Sequence, residues 1–192
     1  MAVLHAFEEG NVVVTTIRAA REDEASLLAD IGLAAWESAI AGVDAGSAEN
    51  VSMQEVAHFA FLAFARSRWH RIHVAETDGL VIGWAACERP DGVITDFWIH
   101  PDFQRKGVGA RLMDKLEIDI LSEGTEVAET ATHVDNAAAL AFFAKRGFHV
   151  AWLSTRYAAR LDRDVEQIGL RKLLICADET EDGVYGASGA GV

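Results

Sequence analysis

Cysteine is scarce in this sequence: of its 192 residues, only Cys87 and Cys176 are cysteine. Two cysteines in a chain of this size are too few for a disulfide framework, which predicts a protein of a reducing compartment. Both lie in apolar, strand-like segments, GWAACE and LLICAD, so we expect buried thiols rather than reactive ones. The expected location is therefore cytoplasmic.

Long apolar runs are also missing, and none of the chain's apolar stretches could span a bilayer. The N-terminal segment MAVLHAFEEGN lacks the charged region and the continuous apolar region of a secretory signal. We therefore expect no membrane partner. Hydrophobic residues still make up 51% of the chain, and this length is enough for one folded domain with a sizeable core.

Basic residues are outnumbered, with 17 Lys and Arg against 30 Asp and Glu, for a net charge of −13. Binding to a nucleic-acid backbone needs basic patches, so nucleic-acid partners are excluded. An acidic surface field is compatible with a cationic, amine-bearing substrate. Charge alone does not identify that substrate.

Hydrophobic periodicity and turn residues predict the element order β-α-α-β-β-β-α-β-α-β-β. The turn signals Thr77-Asp78-Gly79 and Pro90-Asp91-Gly92 make the first half antiparallel, and a crossover helix after Pro101 makes the neighbouring pair parallel. The expected class is α/β, with one mixed, mostly antiparallel sheet of about seven strands and helices on both faces. We expect this domain to span 11–177, after an N-terminal extension, 1–10, and before a flexible acidic, glycine-rich tail, 178–192.

Two helices are predicted between the first and second strands. The first runs from Glu22 to Ala41, and the second is capped by Ser52 and ends near Arg68. In the second helix, one apolar face is expected to carry Val56, Phe59, Ala60 and Ala63. Its phenylalanines, Phe59, Phe61 and Phe64, are expected in the core.

The segment HPDFQRKGVGARLMDKLE, residues 100–117, places a loop directly before an amphipathic helix. The first turn of a helix has unpaired N–H groups and the positive end of the helix dipole, so it attracts anions. Gly107 and Gly109 let the backbone approach a phosphate closely, and Arg105 and Lys106 add positive charge. The pattern predicts a pyrophosphate site.

Two common nucleotide-binding fingerprints are missing from this loop. The dinucleotide pattern G-x-G-x-x-G fails because its third glycine position is Leu112, and the P-loop pair Gly-Lys-Ser/Thr is absent. A nucleotide-binding domain of another family, which would use the loop for a different diphosphate, remains an alternative.

The run Gln104-Arg105-Lys106-Gly107-Val108-Gly109 resembles the Gln/Arg-x-x-Gly-x-Gly/Ala signature of the GNAT acetyltransferase superfamily. A second run, Asn136 to Phe148, resembles that family's Asn-x-x-Ala-x-x-Phe-Tyr-x-x-x-Gly-Phe signature. The element order also matches, so the resemblance covers about Val12 to Ala177. It implies transfer of an acetyl group from acetyl-coenzyme A (acetyl-CoA) to a primary amine by direct attack. The acceptor would be a small-molecule amine, a protein lysine or a protein N-terminus.

The resemblance also implies which residues hold the cofactor. A bulge would free a backbone N–H at Ile99 and its neighbour Trp98 for the thioester carbonyl. Asn136 would contact the cofactor arm, and Phe142 and Phe143 would be part of the same cofactor site. The pyrophosphate would lie against Gln104, Arg105, Lys106, Gly107, Val108, Gly109 and Ala110. Dimers are frequent in the family, so a homodimer is an open expectation. No metal is expected, because the sequence shows no third ligand beside its two neighbouring histidines, His70 and His73.

The attacking amine must lose its proton, because a lysine-like amine has a pKa of about 10.4 in water. A general base acting directly or through one water would help. Asp96 is the first candidate, since it lies on the strand that approaches the acetyl site and shares a face with Trp98. Glu129 and His133, four residues apart on the next strand and facing the same side, are the alternatives.

One position departs from the family pattern. Phe143 stands where the family commonly has a tyrosine that can protonate the departing thiolate, and phenylalanine cannot do so. Either another group serves, for which Tyr157 is the nearest candidate along the chain, or the thiolate leaves without an acid, which a thiol pKa of about 8.5 permits. The substitution also leaves open a CoA-binding module with little or no catalysis.

Overall fold

The computed structural model describes residues 14–40, 49–158 and 163–174. The predicted order of elements is confirmed: β1 Thr15–Ala19, α1 Ala25–Ile40, α2 Glu49–Arg68, β2 Ile72–Thr77, β3 Leu80–Ala86, β4 Asp96–Ile99, α3 Val108–Ser122, β5 Val127–His133, α4 Ala137–Lys145, β6 His149–Ala158 and β7 Arg163–Leu173. Short 3-10 turns precede α1, β2 and α3. The expected extension 1–10, the tail 178–192 and Cys176 lie outside the described residues.

The strands confirm the α/β class, but they form two sheets rather than the single sheet expected. The first sheet has the order β1-β2-β3-β4 and the second β5-β7-β6, and all neighbours are antiparallel. The sheets meet at one parallel bridge between Val93 and Glu129. There the Ile94 N–H donates to the Glu129 carbonyl at 2.8 Å, and the Glu129 N–H donates to Gly92 at 2.9 Å. Beyond this bridge, no backbone hydrogen bond joins β4 to β5 among the described residues, and the gap between these two strands is called the cleft.

Helices cover the first sheet on both sides, as expected. One core cluster lies under α1 and α2 and includes Leu28, Phe61 and Trp84. The other lies under α3 and α4, and continues from the first sheet into the second. None of the helices within the described ranges combines the length and hydropathy needed to cross a bilayer.

The second helix differs from its prediction in two ways. It begins at Glu49, three residues before Ser52, so Ser52 is not its N-cap. Val56 is 42% and Phe59 71% exposed, whereas Phe61 is fully buried. The buried face is set by contact with α1, where a Cβ added to Gly32 would lie 2.8 Å from the Phe61 ring. Only a glycine on α1 lets this ring approach so closely.

A charge network joins β1, β2 and the start of α1. Arg18 donates to both carboxylate oxygens of Glu24, at 2.6 and 3.0 Å, and to Glu76 at 2.7 Å. Glu24 also accepts the Arg21 N–H at 2.7 Å and is 6% exposed. The hydrogen bonds from Arg18 hold the pKa of the Glu24 carboxyl below its ordinary value.

Replacing Glu24 with glutamine should destabilise the fold by roughly 3 kcal/mol at pH 7, because it leaves the Arg18 charge without its main partner. A carboxyl with a lowered folded-state pKa stabilises the protein above its unfolded pKa and loses that effect as pH falls through the folded value. The difference in the free energy of unfolding between wild type and Glu24→Gln should therefore be complete at pH 7 and become smaller below about pH 4. Urea unfolding at both pH values measures it. Asp23→Asn, at an 86% exposed neighbour, is the control, and an equal loss there would contradict the assignment.

Candidate active site

The cleft between β4 and β5 exposes part of the β4 backbone. The His100 N–H donates to the Ile82 carbonyl of β3 at 3.0 Å. In an antiparallel pair, every second residue is hydrogen-bonded to the partner strand, so Trp98, two residues earlier, also bonds to β3. The N–H and C=O groups of Phe97 and Ile99 consequently point away from β3 into the cleft. The structure thus directs the Ile99 N–H into the cleft and the Trp98 N–H toward β3, and Phe97 is a position that the sequence did not single out.

The expected bulge lies earlier in β4 than predicted. Pairing with β3 is regular from Asp96 to Ile99. The Thr95 N–H and Oγ1 both donate to the Ala86 carbonyl, at 2.9 and 3.2 Å, although Ala86 pairs with Asp96. Two residues, Thr95 and Asp96, therefore oppose Ala86, as in a β-bulge, and the bulge turns the Thr95 N–H toward β3.

Asp96 and Trp98 lie on the α1/α2 side of β4. Asp96 is 5% exposed, and its Oδ1 accepts a hydrogen bond from Trp98 Nε1 at 2.9 Å. The Trp98 ring packs edge-on against Phe61 of α2, with centroids 5.1 Å apart. These contacts fix the orientation of the buried Asp96 carboxylate.

Glu129 and His133 lie on the same side of the fold as Asp96. They alternate along β5 with Ala128 and Thr130, which are buried, and Ala128 belongs to the α3/α4 core together with Ile94. The Glu129 carboxylate lies 3.3 Å from Arg171 at the closed end of the cleft, so its charge is balanced. His133 is at the open end, and its Nδ1 accepts the Asp135 N–H at 3.2 Å.

The loop before α3 presents an open, positive surface. Gly107 is the N-cap of α3 with φ 84°, and a Cβ added there would meet no heavy atom within 4 Å. Arg105 also has a positive φ, 60°, and turns that contain such residues can form the backbone concavities that bind anions. Within the described residues, neither Arg105 nor Lys106 forms an ion pair, although Lys106 lies 5.3 Å from the centre of the Phe103 ring. Gln104 Nε2 donates to the Ile99 carbonyl at 3.0 Å and ties the loop to β4.

Val108, Gly109 and Ala110 form the first turn of α3 beside α4. A Cβ on Gly109 would lie 3.3 Å from Phe142, so the two helices approach closely here. Asn136 is the N-cap of α4, and its Oδ1 accepts the Ala139 N–H at 3.1 Å. The first turn of α3 therefore lies against α4 at Phe142.

Phe143 is buried in an aromatic cluster rather than exposed at the cleft. It is 5% exposed, and its ring lies 5.2 to 5.9 Å from those of Phe97, Phe142 and Phe148. Tyr157 is 62% exposed on the edge strand β6, where alternation places it on the α3/α4 side. The structure thus brings Asp96, Glu129 and His133 to one side of the cleft and leaves Tyr157 on the other.

A small cavity of about 130 Å³ at the far end of α3 holds other conspicuous residues, including His70, His73 and Cys87. His73 Nε2 lies 2.6 Å from Asp119, and burial raises the pKa of the Cys87 thiol to about 12. A thiol with so high a pKa is unreactive at neutral pH, as expected for a buried cysteine. Among the described residues, no group of three or more His, Cys, Asp or Glu side chains is placed to hold a metal ion.

Comparison with known proteins is consistent with this geometry. Residues 38–148, more than half of the chain, match the family model "Acetyltransferase (GNAT) family". An uncharacterized N-acetyltransferase of Archaeoglobus fulgidus is 31% identical over 84 residues, which are 39% of this chain and 57% of that protein. The match thus spans little more than half the length of this curated relative.

Solved structures share the fold over most of the chain. A GCN5-related N-acetyltransferase from Rhodopseudomonas palustris is 25% identical, with a TM-score of 0.68 over 85% of this chain and 98% of its own. The paiA N-acetyltransferase of Thermoplasma acidophilum, solved in complex with coenzyme A, is 17% identical, with a TM-score of 0.68 over 83% of this chain and 99% of its own. The protein therefore belongs to the GNAT family of acetyltransferases.

Proposed function

We propose that this protein transfers the acetyl group of acetyl-CoA to a primary amine. The observation that carries the proposal is the coincidence of two features: an open cationic loop at Arg105 to Gly107, which forms no ion pair with the described residues, and a cleft into which β4 directs backbone donors. Acetyl-CoA supplies the acetyl thioester. A pyrophosphate fits the first feature and an extended amide-bearing arm fits the second.

The β4 edge would bind and polarise the thioester. The N–H groups of Phe97 and Ile99 can pair with the extended arm as with an added strand, and one of them can donate to the thioester oxygen as its negative charge grows. Asn136, fixed as the cap of α4 by its Oδ1, keeps its amide N–H groups as donors toward the same arm.

Asp96 would take the proton from the attacking amine, directly or through one water. The new C–N bond forms as the C–S bond breaks, and the electron pair of that bond leaves with the sulfur. Trp98 Nε1 holds the carboxylate in place during this transfer. Glu129, which is paired with Arg171, and His133 remain the alternative bases.

The acceptor class is part of the same proposal: a small-molecule amine, a protein lysine or a protein N-terminus, encountered in the cytoplasm. A CoA-binding module with little catalysis is the second candidate, and the observation in its favour is Phe143 in place of the family tyrosine. The two differ in one measurement. Incubation with acetyl-CoA and a panel of amines should release free thiol, whereas tight binding of acetyl-CoA with no acceptor acetylated would favour the binding module.

We expect the thiolate to leave without a dedicated acid. Tyr157→Phe should keep kcat within about twofold of wild type, because a thiol with a pKa of about 8.5 is a good leaving group. Phe143→Tyr should gain no rate and lose about 1–3 kcal/mol of stability, since its hydroxyl would enter an aromatic cluster. Thiol release and urea unfolding measure these effects. Loss of turnover in Tyr157→Phe would show instead that the acid had moved to β6.

A further inference from the structure

The Trp152 ring lies flat across the middle of β7. A Cβ added to Gly169 would be 2.0 Å from Trp152 Cε2 and 2.2 Å from Nε1, so the ring occupies the space of the missing side chain. Glycine inside a strand is unfavourable and marks a close approach. On the other side of Gly169, its partner on β5 is Ala131, which is small and exposed.

A register shift in β6 gives Trp152 this orientation. Val150 pairs with Leu170, but Trp152 pairs with Gly169, so Ala151 is an extra residue. Without it, alternation would turn Trp152 toward the α3/α4 side, where Val150 points. With it, the ring faces the same side as Glu129 and His133.

Trp152 is level with Asp96 across the cleft. Ala131, Gly169 and Trp152 form one row across the second sheet. At the parallel bridge, Val93 lies beside Glu129 of β5. Two residues further along each chain are the bulge at Thr95 and Asp96 on one side and Ala131 on the other, so these positions lie at the same height. The core cluster beneath α1 and α2 contains no residue of β5, β6 or β7, so among the described residues this part of the second sheet is not covered by those helices.

Resting on the acetyl transfer proposed above, we propose that Trp152 is one wall of the acceptor site and selects amines that carry a flat apolar group. The indole face provides an apolar, π-rich surface that favours stacked rings, while Asp96 across the cleft receives the amine. An acceptor whose ring lies three to six bonds from the nitrogen, as in an arylethylamine or a peptide with an aromatic second residue, would place the ring on Trp152 and the amine toward Asp96. The ring belongs either to a small arylalkylamine or to an aromatic residue near a peptide N-terminus.

The test compares 2-phenylethylamine, ethylamine and the dipeptide Gly-Phe-amide as acceptors, with thiol release as the readout. Wild type should prefer an aromatic acceptor to ethylamine by at least about tenfold in kcat/KM, which is typical of an apolar contact. Trp152→Leu should lower that ratio about tenfold through the acceptor KM, and leave ethylamine and the KM of acetyl-CoA unchanged. Gly169→Ala should act in the same direction, because its methyl group displaces the ring.

Leu153→Ala is the matched control, since Leu153 is the next residue, is 66% exposed and points to the opposite side. It should leave the preference unchanged. The dipeptide and the arylalkylamine identify which source of the ring is used, and a preference for either supports the inference. The proposed role of Trp152 is overturned if wild type has the same kcat/KM for all three acceptors, or if Trp152→Leu lowers kcat/KM equally for all three. Either result leaves acetyl transfer intact. Absence of thiol release with every amine overturns acetyl transfer, and this inference with it.

Discussion

Asp96→Asn is expected to lower kcat/KM by about 10²–10⁴, the usual contribution of a general base. The change keeps the size of the side chain and an oxygen that can accept from Trp98 Nε1, so the fold should be preserved. Affinity for acetyl-CoA should stay within about twofold, because the Asp96 side chain lies on the α1/α2 side, away from the loop. Activity should partly recover near pH 10, because a large fraction of the amine is then already deprotonated in solution.

Asp78→Asn is the matched control for this charge removal. Asp78 is in the two-residue turn between β2 and β3, with φ 51°, where asparagine is well tolerated. Steady-state kinetics are measured for both variants and for Glu129→Gln and His133→Gln. The general base is assigned to the position whose substitution lowers kcat/KM the most. A rate for Asp96→Asn within threefold of wild type from pH 6 to 9 would make Asp96 a structural carboxylate.

Gly107→Ala should weaken binding of acetyl-CoA by about 10- to 100-fold, equivalent to losing one charge-assisted hydrogen bond. The new methyl group would stand in open space at the N-cap of α3, where an approaching phosphate would meet it. Part of any effect will come from the strain of a positive φ, which costs alanine roughly 1 kcal/mol. Calorimetric titration with acetyl-CoA measures the affinity.

Gly124→Ala separates strain from binding. Gly124 has φ 82°, close to the 84° of Gly107, and also has no heavy atom within 4 Å of an added Cβ, but it is at the other end of α3. The two variants should lose similar stability, and only Gly107→Ala should lose affinity. Equal affinities would mean that the loop does not hold the pyrophosphate.

The parts of the fold predicted correctly depend on short stretches of sequence. Val108, Leu112, Leu116 and Ile120 recur every four residues, and all are buried in α3. The β2–β3 turn forms at Asp78-Gly79 because two residues with positive φ fit a tight hairpin. The loop signature was recognisable because the residues that shape it are consecutive.

The parts that were not predicted depend on contacts between distant residues. In α2, apolar residues occur all round the helix, so periodicity could not choose between Phe59 and Phe61, and contact with Gly32 of α1 decides it. The bulge at Thr95 needs the β3 register, and the division into two sheets needs the pairing of β5 with β7. The roles of Asp96, Glu129 and His133 remain predictions, although the structure places all three on one side.

Within the described residues, the two sheets share a single backbone bridge, at Val93 and Glu129. A ligand arm that pairs with β4 in the cleft beyond it would favour the folded state, by about 2.7 kcal/mol when the free ligand is at 100 times its Kd. Proteases in a cell remove the unfolded fraction, so such a difference changes how long a protein survives. Under the proposed function, the supply of acetyl-CoA would therefore influence how long the protein survives as well as how fast it works.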